Sequence, residues 1–206
     1  MCALNGQFVN LSANGYRIGP MRAFRHSIAR AGCLAAALCL GGCEQRQETA
    51  PPRSVNALEK LKAEAPKTVP PVTFADAQGK TRNLSEFRGR YVLLNLWATW
   101  CAPCVRELPS LSHLQEAMGA NNLLVVPVNV GHGAAPETAA FLKENKAAAL
   151  PVYLDTKSAF LHAFGALGLP LTVLIDPQGR EIARASGAVQ WDAKKSISYF
   201  QALTKR

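Results

Sequence analysis

Beyond its first 43 residues the chain has only two cysteines, Cys101 and Cys104. The other four cysteines lie in the N-terminal stretch, at Cys2, Cys33, Cys39 and Cys43. A disulfide-stabilised scaffold needs several pairs, and a zinc site of the paired CxxC kind needs a second pair. This shortage therefore excludes both classes for the folded part of the chain and leaves one closely spaced pair to explain.

Acidic residues are absent from residues 1–43, which contain four arginines and no Asp or Glu. The rest of the chain holds 19 Lys and Arg against 14 Asp and Glu, so it contributes +5 to the formal net charge of +9. Its basic residues form no stripe with interleaved aromatics, which make up 7% of the chain. This pattern argues against a nucleic acid as the partner.

The N-terminal stretch has no apolar run long enough for a permanent transmembrane helix. A basic segment at 21–30 precedes ten mostly small or apolar residues at 33–42, which is typical of a secretory signal. The ending Leu40-Gly41-Gly42-Cys43 resembles a bacterial lipobox, and it implies that Cys43 is acylated and becomes the first residue of the mature protein. An ordinary cleaved signal and an uncleaved anchor are the alternatives. All three place the domain outside the cytoplasm.

The sequence predicts three parts. Residues 1–43 form the leader, in which 1–20 are polar, precede a second methionine and are interpreted as untranslated, with Met21 as the start. Residues 44–66 are polar and predict a flexible tether, with helical spacing of Leu58 and Leu61 as a possible short helix. Residues 67–206 have the size of a single domain.

The cysteine pair lies in the run WCAPC at 100–104, directly after the apolar stretch 91–97 and at the start of a helical pattern over 103–118. At the beginning of a helix, unpaired N–H groups and the helix dipole stabilise a thiolate. Cys101 is then the attacking sulfur, and Cys104, about one turn further in, is the shielded resolving sulfur. This asymmetry is what thiol–disulfide exchange requires.

The remaining pattern predicts an α/β domain whose sheet is parallel first and antiparallel at the end. Predicted strands lie at 91–97, 123–130 and 152–154, predicted hairpins at 72–84 and 172–185, and predicted helices at 103–118, 137–144, 158–164 and 192–203. Asp192 is the expected N-cap of the last helix, and Gly165 is expected to close the helix before it. Pro109 should kink its helix.

Four segments in order resemble the membrane-tethered TlpA/ResA type of thioredoxin-like protein. They are NLWATWCAPC at 95–104, ELP at 107–109, VNV at 128–130 and GLPLTVLID at 168–176 before a Pro-Gln-Gly turn. The resemblance covers about residues 67–203. It implies a thioredoxin-like fold with a central mixed sheet flanked by helices, an N-terminal β-hairpin and a helical insert, which residues 67–90 and 131–150 suit.

The resemblance also implies an activity and its partners. Members of the family reduce disulfides in extracytoplasmic proteins, including apocytochrome c cysteines and copper-site cysteines of oxidases, and receive electrons from a membrane protein of the DsbD/CcdA kind. The redox-active Cys101–Cys104 pair needs no further cofactor and no metal. We expect a monomeric protein in the bacterial periplasm or an equivalent extracytoplasmic space, held at the membrane by the lipid on Cys43.

The family's site residues carry over at matching positions. Pro170 matches the cis-proline that faces the disulfide, and a cis bond there would turn the Leu169 backbone toward the cysteines as a docking edge for a client peptide. Trp100 would cover part of the client groove. Glu107 matches an acid near the thiols that could raise a thiol pKa and relay a proton, although a solvated Glu on the helix surface is the alternative.

Asn95 departs from general thioredoxins, which carry a buried Asp at this strand position. An amide cannot ionise, so a proton relay must use another group, and Glu107 is the candidate. His132 and His162 are lone histidines without matching surroundings for a ligand role, and His113 is expected on the exposed side of its helix.

Three other functions use related folds. A disulfide oxidase or isomerase remains open, because the direction of transfer depends on the reduction potential, although the lack of a dimerisation domain argues against an isomerase. A copper-binding chaperone of the Sco type would have CxxxC and a distant His. A peroxiredoxin would have Thr three residues before a lone reactive Cys, where this chain has Ala98.

Overall fold

The computed structural model describes residues 57–119 and 123–205, all of which belong to one compact unit, Thr49–Arg206. The predictions for the leader, including Cys43, lie outside the described residues. The strands are β1 (Lys62–Thr68), β2 (Thr73–Asp76), β3 (Thr81–Asn83), β4 (Tyr91–Trp97), β5 (Leu123–Asn129), β6 (Tyr153–Leu154), β7 (Leu171–Ile175) and β8 (Arg180–Ser186). The helices are α1 (Ala57–Lys60), α2 (Ala102–Met118), α3 (Ala135–Glu144), α4 (Ala159–Ala163) and α5 (Lys194–Thr204), and a 3₁₀ turn spans Leu84–Phe87.

The eight strands form one mixed sheet in the order β1-β8-β7-β4-β5-β6-β2-β3. β4 pairs in parallel with β5 and antiparallel with β7, so the sheet changes direction at its centre. Both predicted hairpins are present, as β2–β3 and β7–β8. In the ranges that the structure describes, no helix is long and apolar enough to cross a membrane. The predicted thioredoxin-like α/β architecture is confirmed.

The central strand β4 is buried on both faces, which explains its nearly continuous apolar run. Val92, Leu94 and Leu96 pack into the core on one face, and Leu93 and Trp97 pack into the core on the other. The core on the side of Leu93 and Trp97 also contains Cys104 and the buried apolar residues of α2. Because side chains alternate along a strand, Asn95 points toward α2 together with Leu93 and Trp97.

Helix α2 begins directly after β4 and presents the cysteines at its first turn. Cys101 is the N-cap residue, and Pro103 stands in the first turn, where its missing N–H costs no hydrogen bond. Pro109 lies within α2 but does not end it. The helix therefore carries the dithiol at its N-terminus and packs its buried face on the sheet.

The tether prediction was wrong at its C-terminal end, although a short helix is present there, as the spacing of Leu58 and Leu61 indicated. Residues 57–60 form α1, and residues 62–68 form β1, which pairs antiparallel with β8 at the edge of the sheet. Every residue of β1 is exposed, so backbone pairing rather than apolar burial holds the strand. A polar edge strand of this kind has the same composition as a linker, and the folded domain therefore starts about ten residues before the predicted boundary at 67.

Asp192 is not the cap of the last helix. The N-cap of α5 is Ala193, which makes no side-chain hydrogen bond, and the Asp192 carboxylate instead binds His113 Nδ1 at 2.9 Å and the Gln190 amide. A competing basic partner on α2 thus replaces the local capping bond. Gly165 follows α4 with φ of +60°, in agreement with the prediction that it closes that helix.

Candidate active site

The two cysteines form a disulfide at the N-terminus of α2, with a Cα–Cα distance of 5.3 Å. The Cys101 side chain is 5% exposed, and Cys104 is fully buried. The backbone N–H of Cys104 donates to Cys101 Sγ at 3.3 Å, which is the N-cap hydrogen bond of the helix. An N–H directed at this sulfur would also stabilise its thiolate after reduction. Cys104 is the more deeply buried of the two residues, and the assignment of Cys101 as the attacking sulfur stays a prediction.

Glu107 is buried, with 2% exposure, and this contradicts the alternative of a solvated surface glutamate. Its Oε1 accepts from Asn95 Nδ2 at 2.7 Å, and its Oε2 accepts from the backbone N–H of Val189 at 2.9 Å. Burial raises the pKa of the Glu107 carboxyl from 4.5 to about 7, against the lowering effect of these donors. A carboxyl with a pKa near neutrality can both accept and release a proton under ordinary conditions.

Asn95 connects Glu107 to the neighbouring strand β7. Its Nδ2 also donates to Thr172 Oγ1 at 2.9 Å, so both amide hydrogens are used. Among the described residues its Oδ1 has no hydrogen-bond partner. The amide therefore faces Glu107 as a donor, which favours the ionised carboxylate, in keeping with the prediction that the proton-carrying group of this site is Glu107 and not position 95.

The segment after β8 completes the surroundings of Glu107. Val189 donates through its backbone, and the Trp191 indole N–H also lowers the pKa of Glu107, although it makes no hydrogen bond of good geometry in the described part of the chain. Ser110 Oγ accepts from the backbone N–H of Trp191 at 3.2 Å and so links this segment to α2. Sequence reasoning missed Thr172, Val189 and Trp191, because nothing local marks residues that lie 65 or more positions from Glu107.

Trp100 is 70% exposed, beside the largely buried Cys101. A Cβ on Gly131 would lie 3.3 Å from Trp100 Nε1 and 3.1 Å from Asn129 Oδ1, so glycine allows the loop after β5 to approach the indole closely. Trp100, His132, Glu137 and Phe141 line an open cavity of about 410 Å³ together with Thr99, Gly133 and Thr138. The role of Trp100 as a wall of a client groove stays a prediction.

The Leu169–Pro170 peptide bond is cis, as the resemblance implied. Leu171 pairs with Leu96, so Pro170 lies just beyond the ladder, at the end of β4 that leads to the cysteines. The Pro170 carbonyl accepts from the Gly187 N–H at 2.8 Å. Among the described residues the backbone of Leu169 makes no hydrogen bond, so its N–H and C=O are available to another strand.

The histidines lie outside the cluster around Glu107. His113 is exposed and pairs with Asp192, as its position on the outer side of α2 predicted. His162 lines a separate cavity with Lys67, Glu181 and Arg184. Over residues 57–119 and 123–205 the structure contains no group of three or more His, Cys, Asp or Glu side chains placed to hold a metal ion.

Comparison with known proteins gives one family match and several relatives. The family model described as Redoxin matches residues 64–202. The thiol-disulfide oxidoreductase ResA of Geobacillus thermodenitrificans is 32% identical over 123 residues, which are 59% of this chain and 69% of the relative. The protein of the same name from Bacillus subtilis is 33% identical over 120 residues, 58% of this chain and 66% of the relative. A crystal structure described as a putative thiol:disulfide interchange protein DsbE from Chlorobium tepidum superposes with a TM-score of 0.58 and 27% identity, covering 69% of this chain and 97% of that one.

Proposed function

The chain belongs to the Redoxin family and is a thiol–disulfide oxidoreductase of the ResA type, and on that premise we propose that it works as a reductant of disulfides in client proteins outside the cytoplasm. The observation that carries the proposal is the buried Glu107 carboxyl, hydrogen-bonded one turn after the Cys101–Cys104 disulfide. A thiol must lose its proton before it can attack a disulfide, and a carboxyl that titrates near neutral pH can accept that proton.

The reaction starts from the reduced dithiol. The Cys101 thiolate attacks one sulfur of the client disulfide, the client's S–S bond breaks, and the other client sulfur leaves as a thiolate that takes up a proton. Cys104 then attacks Cys101 Sγ in the mixed disulfide, which releases the second client thiol. Two electrons pass to the client, and the protein ends as the Cys101–Cys104 disulfide seen in the structure.

Glu107 serves the second step in this proposal. Cys104 is fully buried, so its thiol must lose a proton to a nearby base before it becomes a nucleophile. With its pKa near 7, the Glu107 carboxylate accepts that proton at little cost and returns it when the disulfide is reduced again. The same negative charge raises the pKa of a neighbouring thiol, which keeps the reduced form protonated until a client arrives.

A client peptide would dock as an extended strand along Leu169. Its backbone would bond to the free N–H and C=O of that residue, and its side chains would contact the exposed indole of Trp100 and the ring of Pro170. Docking next to Cys101 places the client disulfide near the attacking sulfur. Backbone pairing tolerates many sequences, which suits an enzyme with more than one client.

The leader and the family resemblance support the location and the partners. We place the domain outside the cytoplasm, anchored by a lipid on Cys43 and acting as a monomer without a further cofactor. A membrane protein of the DsbD/CcdA kind would return two electrons to the disulfide after each cycle. Apocytochrome c cysteines and oxidase copper-site cysteines are the proposed client classes.

The reduction potential of the chain from residue 44 onward tests the direction of transfer. The protein would be equilibrated in thiol–disulfide buffers and followed by tryptophan fluorescence, with the Cys101→Ser, Cys104→Ser double variant as the control for buffer effects. We expect a value near or below about −250 mV, close to the value of thioredoxin. A value near about −120 mV, as in the oxidant DsbA, would contradict the reductase proposal.

A further inference from the structure

One peptide unit, between Ala188 and Val189, connects the buried Glu107 to a lysine on the first helix. The Ala188 carbonyl accepts from Lys60 Nζ at 3.3 Å, and the Val189 N–H donates to Glu107 Oε2 at 2.9 Å. The C=O and the N–H belong to the same planar group and point in opposite directions. An ammonium on one side of this peptide and a carboxylate on the other therefore form a continuous chain of hydrogen bonds.

Packing holds Lys60 in this position. Ala57, at the other end of α1, is fully buried in the core that contains the cysteines, and Leu61 packs against the same core. Lys60 itself is half-buried, and among the described residues no carboxylate lies within ion-pair distance of its Nζ. Its charge is therefore directed at the peptide carbonyl and is not neutralised by a neighbouring acid.

Gly187 makes room for the lysine. A Cβ on this residue would lie 3.1 Å from Lys60 Nζ, and its φ of +77° lies in the left-handed region that favours glycine. Its own N–H donates to the Pro170 carbonyl. The turn after β8 thus contacts α1, the cis-proline segment and Glu107 within three consecutive residues.

A cation that binds a peptide oxygen polarises the whole amide group and strengthens the hydrogen bond that its N–H donates. Here the N–H donates to a carboxylate, so the effect favours the ionised form of Glu107. The positive charge of Lys60 also lowers the pKa of Glu107 directly through space. Both effects lower the pKa of Glu107.

We propose that Lys60 is a positioning residue for thiol–disulfide exchange, acting through the Ala188–Val189 peptide to set the proton affinity of Glu107. The proposal rests on the role given to Glu107 in the proposed function. It also assigns a task to α1, the first element of the folded domain. Loss of the lysine would leave Glu107 protonated at a higher pH and thus slower to take the Cys104 proton.

The other side chains that act on Glu107 in the described part of the chain carry no charge: they are Asn95 on β4 and Trp191 after β8. Thr172 on β7, which binds Asn95, is also neutral, and Cys101 and Cys104, which precede Glu107 on α2, are held in the disulfide. The Asp192 carboxylate contacts His113 Nδ1 on α2 and the Gln190 amide, and it makes no contact with Glu107. The positive charge of Lys60, which binds the Ala188 carbonyl, lowers the pKa of Glu107.

The test is the titration of the Glu107 carboxyl in the oxidised protein, read directly by ¹³C NMR of the full chain labelled at glutamate. The Glu107→Gln variant assigns the signal. Lys60→Gln should move the midpoint upward by roughly 0.2–0.7 pH unit, the size of a charge–dipole effect. Lys60→Met, which keeps the apolar stem, should give the same shift if the amide variant does not fold.

Two variants serve as controls. Lys60→Arg keeps a charged donor and should retain the wild-type midpoint. Lys62→Gln removes the same charge two residues away, from an exposed position on β1, and should leave the midpoint unchanged. An unshifted midpoint in folded Lys60→Gln or Lys60→Met would overturn the proposal, and so would an equal shift in Lys62→Gln, which would indicate a long-range charge effect only.

This readout is independent of the direction of electron transfer. A reduction potential in the oxidant range would remove the reductase proposal and leave the Lys60 result unaffected. A reduction potential in the reductant range together with an unshifted Glu107 midpoint in Lys60→Gln would support the reductase proposal and overturn the Lys60 proposal. The two failures can therefore be told apart.

Discussion

The side-chain amide of Asn95 donates to the carboxylate of Glu107, with 2.7 Å between Nδ2 and Oε1. The two residues come from different elements, β4 and α2, and both are buried. An uncharged donor at position 95 stabilises the carboxylate without adding a second titrating group. The acid–base chemistry of the site is thereby concentrated on one carboxyl, one turn after Cys104.

Replacement of Glu107 by Gln should lower the apparent pKa of the active-site thiols and slow the reduction of a client. The amide removes the negative charge that opposes thiolate formation, and it also removes the base that takes the Cys104 proton. The rate of thiol alkylation as a function of pH measures the first effect. Glu116→Gln, an exposed change on the same helix, is the matched control. An unchanged thiol titration in Glu107→Gln would rule out this role.

The stability of the oxidised protein should fall as the pH rises from about 4.5 to about 7. The pKa of Glu107 is raised in the folded state, so between these values the folded protein binds the proton more tightly than the unfolded chain. Below this window the carboxyl is neutral and the cost of burying its charge is absent, and above the window that cost is fully present. The shift corresponds to a loss on the order of 3 kcal/mol in the free energy of unfolding.

Urea unfolding of the wild type and Glu107→Gln across this pH range measures that loss. The neutral amide cannot titrate, so the difference in unfolding free energy between the two proteins should shift in favour of the variant as the pH rises. Other titrating groups affect both proteins equally. A difference that stays constant from pH 4.5 to 7.5 would contradict the raised pKa.

Truncation of Trp100 to Ala should weaken client reduction more than the reduction of a small disulfide. The exposed indole offers a large apolar surface beside Cys101, which a protein client would cover and a small disulfide would leave mostly exposed. We expect a decrease of roughly tenfold in kcat/KM for a protein disulfide, or about 1.4 kcal/mol. Tyr199→Ala removes another exposed aromatic side chain, on α5, and should have no effect. Equal losses for both substrates would instead indicate damage to the dithiol itself.

The local sequence was sufficient to predict those elements whose formation depends on residues close to one another along the chain. The strand–WCAPC–helix order, the two hairpins around Gly79 and Gly179, and the strand that follows Pro170 were all predicted and are present. Periodicity and turn chemistry act over a few residues, which is why such features are legible in a single sequence. The cis state of Pro170 came from the family resemblance rather than from the residues themselves.

The edge of the sheet shows where this reasoning fails. β1 has no buried side chain, and its pairing with β8 depends on backbone groups that every residue possesses. Its composition matched a tether equally well. The prediction that Asp192 caps α5 was wrong for a related reason. His113 on α2, which lies 79 positions away in the chain, competes for the Asp192 carboxylate.

The order of residues along the chain was enough to predict a dithiol at the start of a helix, an acid one turn later and an amide at the position of the buried Asp of general thioredoxins. The proton affinity of that acid, in contrast, depends on the folded arrangement. Glu107 lies on the buried side of α2, and the amide of Asn95, the Val189 N–H and the charge of Lys60 reach it from segments far apart in the chain. Burial raises the pKa of Glu107, the three groups lower it, and the result is a pKa of about 7. Desolvation and hydrogen bonding depend on which groups meet in space, and folding alone brings these groups together.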